Sequence, residues 1–120
     1  MKFALVFSAI LVLAAAETYS PDNDNLDIEK VVSDNAVFLQ FMNCFIDKGE
    51  CNEITSDFKK DIPEALEQAC LKCTEPQKHI FKRFLEEAKV KIPQEYAVFL
   101  KKYDPESKYI APLQTAIAGF

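Results

Sequence analysis

Apolar side chains fall at Val37, Phe38, Phe41, Met42, Phe45 and Ile46, with Gln40 and Asn43 on the other side. That i, i+1, i+4, i+5 spacing follows the helical turn and predicts an amphipathic helix. It is expected to stop near Asp47, because Gly49 can take the left-handed conformation that ends helices. A second stripe, Ile62, Leu66 and Ala69, accompanies Asp61, Pro63 and Glu64, so a fresh helix start is expected at Asp61. Thr74, Glu75, Pro76 and Gln77 make a stronger start, with a threonine cap, a proline in the first turn and a glutamine three positions after the cap. Behind it, Ile80, Phe81, Phe84, Leu85 and Ala88 form an inner face, and Lys82, Arg83, Glu86 and Glu87 an outer one. Pro93 opens another helix with Tyr96, Phe99, Leu100 and Tyr103 inward, and Asp104-Pro105 breaks it. Ile110, Leu113 and Ile117 give a last stripe, and Ile28 to Ser33 a turn or two near the start. The pattern predicts an all-α single domain of five to six amphipathic helices and no convincing strand. Tyr19 to Asp27 is polar and reads as irregular.

Ahead of these elements stands an apolar leader. Lys2 gives it a positive start, Phe3 to Leu13 is almost continuously apolar, and Ala14-Ala15-Ala16 supplies small residues before Glu17. Residues 1–16 read as a cleaved secretory signal peptide and 17–120 as one helical domain. The leader's apolar run is too short to cross a hydrocarbon core of about 30 Å as a helix, so no stable membrane insertion is expected. Export makes the protein secreted and extracellular and puts its thiols in an oxidising compartment.

Charge excludes one class of partner. The chain carries 14 basic and 19 acidic residues, a formal net charge of −5, and loses Lys2 with the leader. Its lysines are scattered among acids, so no phosphate-tracking nucleic-acid surface is expected. Ten phenylalanines against two glycines favour packed helices over hinged loops.

Cys44, Cys51, Cys70 and Cys73 are even in number and are expected to be paired. Four cysteines allow three pairings. A turn near Gly49 can bring Cys51 toward Cys44, and Cys70 and Cys73 can close a tight ring at the seam between two helices. Cys70-x-x-Cys73 also has the spacing of a thiol–disulfide exchange pair, but no strands support that fold, and Lys72 and Glu75 give it a mixed field. A zinc site of the four cysteines, or of Cys70, Cys73 and His79, is disfavoured by oxidising export and by the long, unequal spacing. His79 has no serine or cysteine arrangement marking a hydrolase, and the adjacent Glu86 and Glu87 splay apart on a solvated face. No catalytic residue, metal or cofactor is therefore assigned.

Five blocks in order carry a resemblance. The cysteine spacing with Asn43-Cys44, Asp47-Lys48-Gly49, Ile62-Pro63-Glu64-Ala65-Leu66, Lys72-Cys73-Thr74-Glu75 with Gln77, and Lys102-Tyr103-Asp104-Pro105 resemble the insect chemosensory proteins, also called the OS-D or insect pheromone-binding family. The resemblance covers about Tyr19 to Tyr109. It implies six α-helices around an apolar channel, sequential disulfides (Cys44 to Cys51, Cys70 to Cys73), and non-enzymatic carriage of odorants, pheromones and fatty-acid-like lipids. The family's aromatic residue ahead of the first cysteine falls on Phe41, its fifth-helix tryptophan on Tyr96, and a second amino-terminal tyrosine on Asn23; the first two are implied to face the channel.

Phe41, Phe58, Ile62, Leu66, Phe84, Leu85, Tyr96 and Leu100 all sit on apolar faces, where ordinary core packing is the plain reading. The resemblance makes them the expected ligand-binding wall, since the lining of a carrier is a core left slightly apart. The chain thus reads as a monomeric secreted carrier of a small hydrophobic ligand. The alternative is an extracellular signalling, developmental or immune protein acting through its surface on a receptor.

Overall fold

Asp27 opens the first regular element: its carboxylate accepts from the Lys30 N–H and starts α1 (Ile28–Ser33). We describe the protein from a computed structural model over residues 17–120; the leader expected at residues 1–16 lies outside the described residues. Asp34 then caps α2 (Asn35–Phe45) through the N–H groups of Ala36 and Val37. α3 spans Glu53–Glu67, α4 Glu75–Lys91, α5 Pro93–Tyr103 and α6 Ile110–Ile117. Among the described residues there are six helices and no strand.

Two expectations about helix ends are corrected. α3 begins eight residues before Asp61, because Asn52 and Thr55 form a reciprocal cap, each side chain accepting the other's N–H at 2.8 Å. Pro63 therefore lies inside the helix, where it leaves one backbone carbonyl without its helical donor. After α2 the left-handed residue is Asp47 (φ 65°), and Gly49 is not left-handed. Gly49 is suited to its place by its size: a Cβ there would stand 3.0 Å from the Asn43 Cβ. Aspartate is among the few side chains that tolerate the left-handed region, the N–H groups of Lys48 and Gly49 hold the turn on the Asn43 carbonyl, and the Asp47 carboxylate pairs with Lys59 of α3 and Lys102 of α5, tying the turn to both helices.

The Thr74 start appears as a full capping box with Gln77. α5 ends at Asp104, whose buried carboxylate accepts N–H bonds from Lys108 (2.7 Å), Tyr109 (3.1 Å) and Ile110 (3.0 Å). It caps α6 from outside and meets the hydrogen-bond demand that makes a buried carboxylate tolerable.

The disulfides join Cys44 to Cys51 and Cys70 to Cys73, closing the α2–α3 and α3–α4 junctions. At the second junction Ala69 and Cys70 both take positive φ, fixed by a 2.8 Å bond from the Cys70 N–H to the Ala65 carbonyl. α1 packs on α2 and α4, α2 on α3 and α5, and α4 on α5 and α6; α3 also meets α5 and α6. Phe38, Met42, Leu66, Leu85, Phe99, Leu113 and Ile117 fill the centre.

Candidate functional site

The core parts between α2, α3 and α4. Phe41 and Phe45 come from α2, Phe58, Ile62 and Ala65 from α3, and Ile80, Phe81 and Phe84 from α4. Each trio or pair recurs at three- or four-residue spacing, so one face of each helix points into the same space. Ile28, Leu26, Tyr19 and Cys73 complete an apolar wall, and Asp57, Asp61 and Gln77 supply its polar groups. The space open to the centre of a water molecule is about 70 Å³. One water needs about 10–15 Å³ by that measure, so a few small groups fit without movement.

Aromatic rings hold the inner wall. Phe84 meets Phe38 and Phe45 edge-on at centroid distances of 5.2 and 5.4 Å, and Phe41 meets Phe45 at 6.3 Å. Such pairs favour edge-to-face geometry and stiffen this side. Phe58 and Phe81 are only partly buried, which leaves them freer to swing.

The irregular segment Tyr19–Leu26 lies against the cavity as a strap. The Tyr19 N–H donates to the Lys72 carbonyl at 2.9 Å, and the Tyr19 hydroxyl donates to Glu64 Oε1 at 2.8 Å. Gln77 Nε2 donates to the Ser20 carbonyl, and Asn23 Nδ2 to Asp57 Oδ2, both at 2.8 Å. Burial, then the Glu64 carboxylate, pushes the Tyr19 phenol well above its ordinary range, so it stays a proton donor. The strap is thus fixed to α3 and α4 by polar contacts while Tyr19 and Leu26 turn apolar surface to the cavity.

Of the residues singled out in the sequence, Phe41, Phe58, Ile62 and Phe84 line this cavity. Leu66 and Leu85 are buried behind it in the filled core, and Tyr96 and Leu100 are half-buried on α5, outside its lining. Burial raises the Tyr96 hydroxyl's pKa. Periodicity gave no warning of this, because α5 packs on α4 and α2 with the same kind of stripe. Phe45, Ile80, Phe81 and Ala65 also line the cavity and lie one turn from chosen residues; Tyr19 and Leu26 carry no periodic signal at all. Among the described residues, no group of three or more His, Cys, Asp or Glu is arranged to hold a metal ion, and no helix is long and apolar enough to cross a membrane. His79 is exposed on α4.

The family model described as "Insect pheromone-binding family, A10/OS-D" matches residues 19–111. The chain belongs to this family. The family's share of the chain holds every residue of the cavity wall, from Tyr19 to Phe84. The chain is 30% identical over 110 residues to ejaculatory bulb-specific protein 3 of Drosophila melanogaster, covering 92% of this chain and 87% of that protein. It is 33% identical over 106 residues to allergen Tha p 1 of Thaumetopoea pityocampa, covering 88% and 84%. The solved structure of a chemosensory protein in complex with bromo-dodecanol shares the fold at a TM-score of 0.75 and 22% identity, covering 82% of this chain and 98% of that one.

Proposed function

We propose that this protein is a secreted carrier that holds a small hydrophobic molecule, of the odorant, pheromone or lipid-like kind, in the cavity between α2, α3 and α4. The observation that carries the reading is the cavity wall itself: aromatic and aliphatic side chains from three helices and the strap, around space that a filled core would lack. The related chemosensory protein solved with bromo-dodecanol supports a chain-like ligand. Phe41, Phe58, Ile62 and Phe84 are its first contacts. Leu66 and Leu85 back the wall, and Tyr96 and Leu100 join it only where a long ligand reaches α5.

The driving force is partition of an apolar chain out of water. Each buried methylene contributes about 0.8 kcal/mol, so twelve carbons gain roughly 8–10 kcal/mol before losses. Frozen torsions and lost motion remove several of these, leaving a dissociation constant of about micromolar. Twelve carbons exceed the present space, so Phe58 and Phe81 swing outward to admit them. No chemical step is needed.

Lipid extraction and mass spectrometry of the protein purified from its native tissue test the reading. A bound apolar-chain molecule in near-stoichiometric amount is expected. Protein that carries none, and that acts on a receptor without ligand, would favour a surface signal instead.

A further inference from the structure

Resting on the carrier reading, the lining charges add a head-group preference. We propose that the cavity selects amphiphiles whose head donates hydrogen bonds, such as long-chain alcohols or amines, and rejects carboxylates, with Asp61 as the group that receives the head.

Among the lining residues the charged groups are Asp57 and Asp61, and no lysine or arginine is among them. Asp57 is already engaged, accepting from Asn23 at one oxygen and from Lys60 at the other. Glu64, just beyond, accepts the Tyr19 hydroxyl and faces Lys72 at 3.7 Å. Asp61 differs from both. No donor among the described residues stands within 3.5 Å of it; its one partner is Lys60, whose Nζ, already bound to Asp57, makes a long ion pair with Asp61 Oδ2 at 3.6 Å. Its side chain is only 28% exposed. Burial, together with the nearby Asp57 and Glu64 charges, holds its carboxyl above the ordinary carboxylate range despite Lys60.

A half-buried carboxylate with free acceptor capacity at the edge of an apolar cavity is complementary to a hydroxyl or ammonium head. An O–H or N–H donor gives a charge-assisted bond, which is shorter and stronger than a neutral one. A carboxylate head offers no donor. It would bring a third negative charge beside Asp57 and Asp61, and at contact distance near a protein surface that repulsion amounts to about tenfold in affinity or more.

The test is competition for a fluorescent apolar probe at pH 8 by dodecanol, dodecylamine and dodecanoate, whose apolar chains are closely matched, on residues 17–120 and on Asp61→Asn. Dodecanol and dodecylamine are expected to displace the probe at concentrations at least tenfold lower than dodecanoate, and Asp61→Asn is expected to shrink that gap to about threefold or less. Dodecanoate competing as well as dodecanol with the unaltered protein overturns the preference while leaving the carrier intact. A gap that persists undiminished in Asp61→Asn overturns the assignment to Asp61. Failure of all three to compete overturns the carrier reading and the preference together.

Discussion

Phe38 and Phe58 are both aromatic residues near the cavity, yet they do different work. Phe38 is wholly buried and meets Phe84 edge-on, outside the lining; Phe58 is half-buried and lines the space. Phe38→Ala is expected to cost about 3–5 kcal/mol of stability, read from denaturant unfolding. Phe58→Ala is expected to cost under half of that, while weakening binding of an apolar probe by about 1–2 kcal/mol. If the two substitutions shift stability and affinity in the same proportion, the separation of wall from core fails. At this scale the sequence was only partly legible. Phe41, Phe58, Ile62 and Phe84 could be picked from their apolar faces, but nothing in a stripe separates Leu66 or Leu85, packed in the filled core, from Ile62, one turn away and beside open space. Asp47 was missed as the left-handed residue because glycine is the default for that conformation and aspartate the less common choice, and because Lys59 and Lys102, which hold its carboxylate, arrive from distant parts of the chain.

Helix boundaries show where local chemistry speaks plainly and where it misleads. Thr74 with Gln77 is a capping box in the familiar residue types, and α4 starts there. Asn52 with Thr55 performs the same reciprocal bonding with less familiar types, so Asp61-Pro63 drew the start of α3 eight residues too late. Asn52→Ala is expected to lower stability by about 1 kcal/mol, measurable as a lower denaturant midpoint. The disulfides belong to this scale too, since they clip junctions in rings of a few residues. Loop entropy assigns such small rings about 2 kcal/mol each. Mild reduction is therefore expected to lower the melting temperature and keep most of the helical circular-dichroism signal; its complete loss would mean that the junctions hold the helices themselves. Asp104 and Asp47 give the acid limit of the element ends. Burial works to raise the Asp104 carboxyl, and the N–H donors of Ile110, Lys108 and Tyr109 more than offset it, so its pKa is lowered. Lys102 first and then Lys59 pull Asp47 down to about 2. A depressed folded-state pKa contributes stability above the unfolded value, near 4, and loses it as pH falls through the folded value. Melting temperature is thus expected to fall between about pH 4 and pH 2, and Asp104→Asn to be less stable at pH 7 with a shallower decline in acid. An equally steep decline in that variant would exclude Asp104 as a contributor.

The whole molecule adds what neither residues nor elements carry: an unfilled space where three apolar faces converge beneath the strap. The all-α architecture was legible because helical stripes, caps and breaks repeat along the chain. The cavity's position was not, because hollow and filled cores use the same side chains, and because Tyr19 and Leu26 reach it from an irregular segment. Its dependence on partition makes chain length the decisive variable. Calorimetric titration of residues 17–120 with primary alkanols from six to twelve carbons measures it most directly. If an apolar chain fills the cavity, affinity should rise by up to about fourfold per added methylene until the wall can yield no further, with a negative heat-capacity change. Binding that is absent, or that stays flat across the series, would contradict a carrier built on this cavity.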